Sequence, residues 1–182
     1  MLAVTTPPST TRAWAIGADG EARLAASLAD LDGVRVLHDR RVPGTRGNID
    51  HIVIAPAGVF VVDAKAHKGT VRIRDRGGLF RKDLRLYVGT RDCSRLAEGL
   101  TWQLDAVVMA LEAASMQPAP SVVPVLCFVE ADWPLIWPPS EFRGVRLEGP
   151  KSLRRLATAL TALDSVAVER LTRLLAIAFP AK

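Results

Sequence analysis

Leu24, Leu28 and Leu31 recur at intervals of four and three residues, the period of an amphipathic helix, and predict one from Ala13 to Leu31. Asp32-Gly33 ends it, VRVLHD (34–39) reads as a strand, and RVPGTRGN (41–48) as a turn-rich loop. IDHIVIA (49–55) and GVFVVDAK (58–65), joined by Pro56-Ala57-Gly58, predict an antiparallel hairpin. TVRIR (70–74) alternates as a half-exposed strand, Gly77-Gly78 is a turn, and short strand-like runs follow, ending in LRLYVG (84–89). From Ser94 to Met116 a long helix collects Leu96, Leu100, Leu104, Val107, Val108 and Leu111 on one side, and Pro118 and Pro120 terminate it. VVPVLCFVE (122–130) is a buried strand, WPLIWPPSEF (133–142) a proline-rich loop and GVRLEG (144–149) a short strand. Two helices, Lys151 to Ala162 and Asp164 to Ala178, close the chain. This order predicts the α/β (α+β) class, with one mixed central sheet flanked by helices.

Composition leaves that picture intact. At 182 residues, 49% apolar and 24% charged, the chain is an ordinary globular one of a single domain, read here as residues 13–182 behind a flexible arm at 1–12. MLAVTTPPSTT lacks the charged and apolar regions of a signal peptide. The most apolar segment, around residues 121–139, is broken by Glu130, Asp132 and several prolines, so no membrane span is expected. Cys93 and Cys127 have no metal-ligand spacing and read as free thiols, for which a reducing cytoplasm is the natural compartment. Trp14, Trp102, Trp133 and Trp137 read as core or loop anchors rather than base-stacking platforms.

Charge adds more. The segment from Arg72 to Arg95 holds eight basic residues (Arg72, Arg74, Arg76, Arg81, Lys82, Arg85, Arg91 and Arg95) and three acids, a surplus equal to the net charge of the whole chain, +5. Arginine favours bidentate contacts to phosphate. A solvated hairpin face explains the pattern equally well; a polyanion partner is the functional alternative.

The candidate chemistry lies where the predicted hairpin opens. In a strand, residues i and i+2 share a face, so Asp63 and Lys65 point the same way. A carboxylate can hold a hard divalent cation, and a neighbouring lysine can orient an attacking water and offset charge developing at phosphorus. The triplet alone means little: 19 acids and five lysines in 182 residues produce about half of one acid-x-Lys by chance. Antiparallel pairing, however, places Asp50 opposite roughly position 63 or 64, and two adjacent acids require a shared cation or proton. Glu21 falls on the apolar stripe of the first helix, and Gly17 and Gly20 would allow that helix close to the sheet. Gln103, between Leu100 and Val107, also faces inward; a satisfied buried amide is the alternative. His51 and His67 flank the strand acids and read as packing or surface residues. Neither a phosphate-binding glycine loop nor a nucleophile elbow is present.

GADGE (17–21), GNIDHIVI (47–54), GVFVVDAKAHKG (58–69) and the glutamine of TWQLDA together resemble the nuclease-related domain, NERD, a branch of the PD-(D/E)xK or restriction-endonuclease-like superfamily. The resemblance covers residues 13–130 and leaves a C-terminal strand and helices at 131–182. It implies a core of helix, three-stranded meander, helix and strand, with Glu21, Asp50, Asp63, Lys65 and Gln103 as the catalytic set. Asp50, Asp63 and the Ala64 carbonyl would hold Mg2+ or Mn2+, with Glu21 completing the shell directly or through water. Lys65 would position the water, and Gln103 would orient Lys65 or a phosphate oxygen. Arg72, Arg74, Arg76, Arg81, Lys82 and Arg85 would track nucleic acid, DNA in the first instance. The family often has glutamate where this chain has Asp63, which reaches one methylene less far. The expected function is therefore a Mg2+-dependent deoxyribonuclease. The alternatives are a non-catalytic nucleic-acid or partner-binding module on the same fold, and a structural role in which the basic hairpin docks an acidic protein. An apolar side on the last helix would permit a homodimer.

Overall fold

The computed structural model describes residues 20–78, 81–117, 119–159 and 163–182. In chain order its elements are helix α1 (residues 20–28), strands β1 (Arg35–Arg41), β2 (Asn48–Ala55), β3 (Gly58–Lys65), β4 (Gly69–Asp75), β5 (Leu84–Val88) and β6 (Arg91–Asp92), and helix α2 (Ser94–Ala113). Strands β7 (Val122–Phe128), β8 (Ala131–Asp132), β9 (Glu141–Phe142) and β10 (Val145–Glu148) follow, then helices α3 (Pro150–Ala157) and α4 (Ser165–Ala178). The arm at 1–12 and the first turns predicted for the opening helix lie outside the described residues.

The main sheet has the order β1-β2-β3-β7-β10-β9. β1, β2 and β3 form an antiparallel meander, while β7 runs parallel to β3 and β10 parallel to β7. β3 is buried on both faces, which is why GVFVV reads as an unbroken apolar run. Val59 and Val61 pack with Leu126 and Phe128 against Leu100 and Val107 of α2 and Leu171 and Leu175 of α4. Phe60, Val62 and Ala64 point the other way, into a second cluster with Leu24 and Leu28 of α1 and Leu153 of α3. The result is the expected mixed sheet between two helical layers.

TVRIR and LRLYV do not join that sheet. They pair with each other, Val71 opposite Val88, in a separate four-stranded sheet of order β6-β5-β4-β8. Its apolar face, Val71, Leu86 and Val88, closes on the α2 side of the core, and Arg72 and Arg74 face water. The two-residue strands β8 and β9 were not predicted; segments so short carry no period. α2 stops at Ala113, short of the predicted Met116, because Ser115 turns left-handed (φ 50°) in a Schellman motif. Ser115 N–H donates to Glu112 O and Met116 N–H to Leu111 O, and Met116 and Leu111 are both buried. α3 ends at Ala157, and residues 160–162 lie outside the described residues. Trp137 corrects another expectation: it is 91% exposed, beside Leu135 and Ile136 at a loop tip, and anchors nothing. Trp14 lies outside the described residues.

Trp102 does anchor. Its indole lies over Gly47, where a Cβ would stand 2.4 Å from Trp102 Cη2, so α2 is seated against the loop that leads into β2. Gly47→Ala is expected to destabilise the protein by about 1–3 kcal/mol through this overpacking. A midpoint in urea denaturation equal to that of the wild type would show that the ring moves aside freely.

Candidate active site

The register decides the site. His51 pairs with Val62, and one step further along the antiparallel ladder brings Asp50 opposite Asp63. Both side chains sit on the face that α2 covers, where strand alternation also places Lys65. The Lys65 ammonium hydrogen-bonds the Asp63 carboxylate at short range and lies 3.7 Å from Asp50 Oδ2. These groups retain little solvent: 12% side-chain exposure for Asp63, 20% for Asp50 and 28% for Lys65.

Electrostatics follow from that crowding. Burial pushes the Asp63 carboxyl up to about 7, a hydrogen bond with Asp50 pushes the same way, and the Lys65 charge opposes both. Burial pulls the Lys65 ammonium down, but the charges of Asp63, Asp50 and Glu21 outweigh it, and its pKa rises. Glu21 is raised by burial first and by Asp50 second. Three acids thus share the field of one ammonium.

Glu21 is brought there by α1. Leu24 and Leu28 are fully buried and fix the helix on the sheet, and Gly20 lets its first turn descend onto the end of β3. A Cβ at Gly20 would lie 3.0 Å from Ala66 Cβ. Gly17 lies outside the described residues. Gln103 is half-buried on α2, and its Oε1 is enclosed without a hydrogen-bond partner among the described residues. A buried amide oxygen left unpaired costs free energy unless something completes it.

The sequence reading missed Asp39. Register places it opposite Asp50 on the other side of β2, and its backbone is left-handed (φ 46°). It accepts a hydrogen bond from Asn48 Nδ2 at 2.7 Å, and its charge helps to raise Glu21. Counting the meander one strand further back would have found it. Lys182, whose N–H donates to Asp39 O, counters that charge at Glu21.

The histidines stand apart. His51 points to the α1 face and bonds His38 through their Nδ1 atoms at 2.8 Å; burial lowers it to about 4, so it is neutral near pH 7. His67 is also lowered, chiefly by burial, and lies against the Phe128 ring.

The basic segment forms an exposed face on the second sheet, which begins four residues after Lys65. Arg74 stands opposite Arg85 and Arg72 opposite Tyr87, with the Arg74 guanidinium 5.7 Å from the Tyr87 ring. Arg85 is paired with Asp83 at 2.8 Å, so it brings less free charge than Arg72 or Arg74. Arg76, Arg81 and Lys82 are exposed around the hairpin end.

Among the described residues no three His, Cys, Asp or Glu side chains form a group that could hold a metal ion. The close set is the two carboxylates of Asp50 and Asp63, with Glu21 further out. That set fits Mg2+, which keeps several waters and uses one or two carboxylates. A carboxyl held near 7 beside a second acid is also where a divalent cation would replace a shared proton. Cys93 and Cys127 are buried free thiols with raised pKa values and take no part. No helix among the described residues is long and apolar enough to cross a membrane.

A helix, a three-stranded meander, a second helix and a strand parallel to the third, with acids and a lysine where the hairpin opens, define a core of the PD-(D/E)xK, restriction-endonuclease-like class. Within that class the chain belongs to the family of the nuclease-related domain, NERD, whose pattern it matches over residues 16–129. No curated protein and no solved structure matches it.

Proposed function

We propose that this protein is a Mg2+-dependent nuclease that hydrolyses DNA phosphodiester bonds. The observation that carries the reading is the facing pair Asp50 and Asp63 with the Lys65 ammonium in reach of both. Asp50, Asp63 and the Ala64 carbonyl would hold Mg2+ or Mn2+, and Glu21 would act on its shell directly or through water. The bound ion supplies Lewis acidity toward a phosphate oxygen and a more acidic water. Lys65 orients the attacking water and offsets the charge that develops on the phosphoryl oxygens. Gln103, whose Oε1 has no partner among the described residues, orients Lys65 or that water from the α2 side. Arg72 and Arg74 hold the backbone of the nucleic acid without reading its bases.

Incubation with linear, circular and single-stranded DNA tests the reading. The wild type is expected to cut at least one of these with Mg2+ or Mn2+, and EDTA or Asp50→Ala to abolish cutting. A wild type that cuts none and binds no divalent ion overturns it and leaves the non-catalytic binding module. Replacing both Arg72 and Arg74 by alanine is expected to weaken binding to all sequences alike and to lower the salt slope by about two.

A further inference from the structure

β3, β7 and β10 are mutually parallel, and their register puts Ala64, Cys127 and Glu148 in one row. Their carboxyl ends therefore meet at one edge of the sheet, the place where open α/β sheets take ligands. Lys65 closes the first of these strands. Two strands away, at roughly 10 Å given the spacing of strands, Glu148 closes the third and borders a cavity of about 570 Å3. Val129, which lines the cavity, donates its N–H to Lys65 O at 3.0 Å, so the two lie at the same carboxyl edge, Glu148 on the α1–α3 side with Ala64 and Cys127, and Asp63 and Lys65 on the α2 side.

Its chemistry is divided. Val129, Trp133, Pro134, Pro139 and Leu147 give apolar walls, and the Trp133 indole is held against Gly149. Glu148, only 5% exposed, puts a carboxylate among them. Arg146 binds that carboxylate through Nε and Nη2, both to Oε1, and Oε2 accepts no hydrogen bond among the described residues. On the rim, Lys151 and Arg155 stand one turn apart on α3, exposed and without an ion pair among the described residues. An apolar slot suits a planar ring, a carboxylate oxygen without a hydrogen bond among the described residues accepts from an amino group, and two cations without an ion pair among them suit a phosphate.

We propose that this cavity is a nucleotide subsite of the nuclease. It takes one unpaired, amino-bearing base (cytosine, adenine or guanine) beside Trp133 and Glu148, with the attached phosphate on Lys151 and Arg155. The phosphodiester at Asp50, Asp63 and Lys65 then lies further along the same strand, which crosses the carboxyl edge of the sheet between the two places. A base can enter only where the strand is unpaired, so the substrate is single-stranded DNA or a frayed end. The proposal rests on the nuclease reading for its substrate, and its test is separate from cleavage.

Isothermal titration in EDTA with dCMP, dAMP, dTMP and deoxyribose 5-phosphate supplies that test. dCMP and dAMP are expected to bind about tenfold more tightly than dTMP or the sugar phosphate. Glu148→Gln should narrow the preference to within about threefold, and Lys151→Ala with Arg155→Ala should weaken every ligand about tenfold. These two cations are on the surface, so the double variant folds even if Glu148→Gln does not. Lys65→Ala is expected to leave all four affinities unchanged. A protein that cleaves DNA but binds dTMP or the sugar phosphate as tightly as dCMP overturns the subsite and spares the catalytic reading. Selective binding without cleavage supports the subsite and removes the catalytic reading.

Discussion

Lys65→Ala is expected to lower the single-turnover rate of DNA cleavage by about a thousandfold while DNA affinity stays within about threefold. In the proposed mechanism the ammonium has two tasks, and alanine abolishes both. It is held against Asp63 and within 3.7 Å of Asp50, so it is fixed where an attacking water would sit between the carboxylates and phosphorus. It also carries the positive charge that the transition state needs more than the bound ground state, which is why rate falls and affinity does not. Lys65→Arg is not expected to restore the rate, because a planar guanidinium would grip Asp63 in a bidentate pair rather than present a compact ammonium to water. Single-turnover kinetics with Mg2+, beside filter binding with Ca2+, separates the two quantities. Equal cleavage by wild type and variant would assign the activity to another site or another protein. Loss of affinity in step with rate would make Lys65 a phosphate-binding residue.

The part of this site that local chain geometry specifies was legible in the sequence. The two-residue connection, with Ala55 opposite Gly58, leaves no freedom in the β2–β3 ladder, so counting back from it places Asp50 against Asp63. The α1 stripe carries Glu21 inward because Leu24 and Leu28 have nowhere else to go. Asp39 was hidden because its strand is joined to β2 by a longer, turn-rich loop that sets no register by itself, and its left-handed backbone has no glycine to announce it. The cavity beside Glu148 is lined by β8 and the proline-rich loop after it, β10 and α3, and only the parallel ladder through β7 shows that β10 shares an edge with Lys65.

The separate second sheet illustrates the same limit. TVRIR and LRLYV have the alternation of half-exposed strands, and they are such strands. Which sheet they join depends on how their apolar face meets α2, a contact between segments distant in the chain. Trp137 fails for a related reason: an apolar residue in a proline-rich loop looks like an anchor, and whether it reaches the core is a tertiary matter.

The second large effect concerns pH, and it is read as the difference in stability between metal-free Asp63→Asn and wild type. That difference is expected to be near zero below the ordinary carboxylate range, to favour the variant by about 1 kcal/mol at pH 5.5 and by about 2 kcal/mol at pH 8. In the wild type the Asp63 carboxyl is raised from 3.8 to about 7 on folding. Between those values the folded protein holds the proton more tightly than the unfolded chain, so stability drains away as pH rises and the loss is complete above the folded value. The whole displacement corresponds to about 4 kcal/mol. Coupling to Asp50 and Lys65 spreads it over several groups, hence the smaller figure. His51, lowered to about 4, contributes the opposite slope below pH 6.5 because the unfolded chain then binds the proton it excludes. It does so in both proteins and cancels from the difference. At 182 residues the effect is a gap in Tm of roughly 4–8 °C at pH 8. Mg2+ should close that gap by raising the wild-type Tm at pH 8, do little at pH 5.5 where the proton competes, and leave Asp63→Asn much less affected. A difference that shrinks as pH rises would mean that Asp63 is ionised throughout and that Lys65 alone satisfies it. A wild-type Tm indifferent to Mg2+ at pH 8 would remove the metal from the mechanism while leaving the carboxyl pair as drawn.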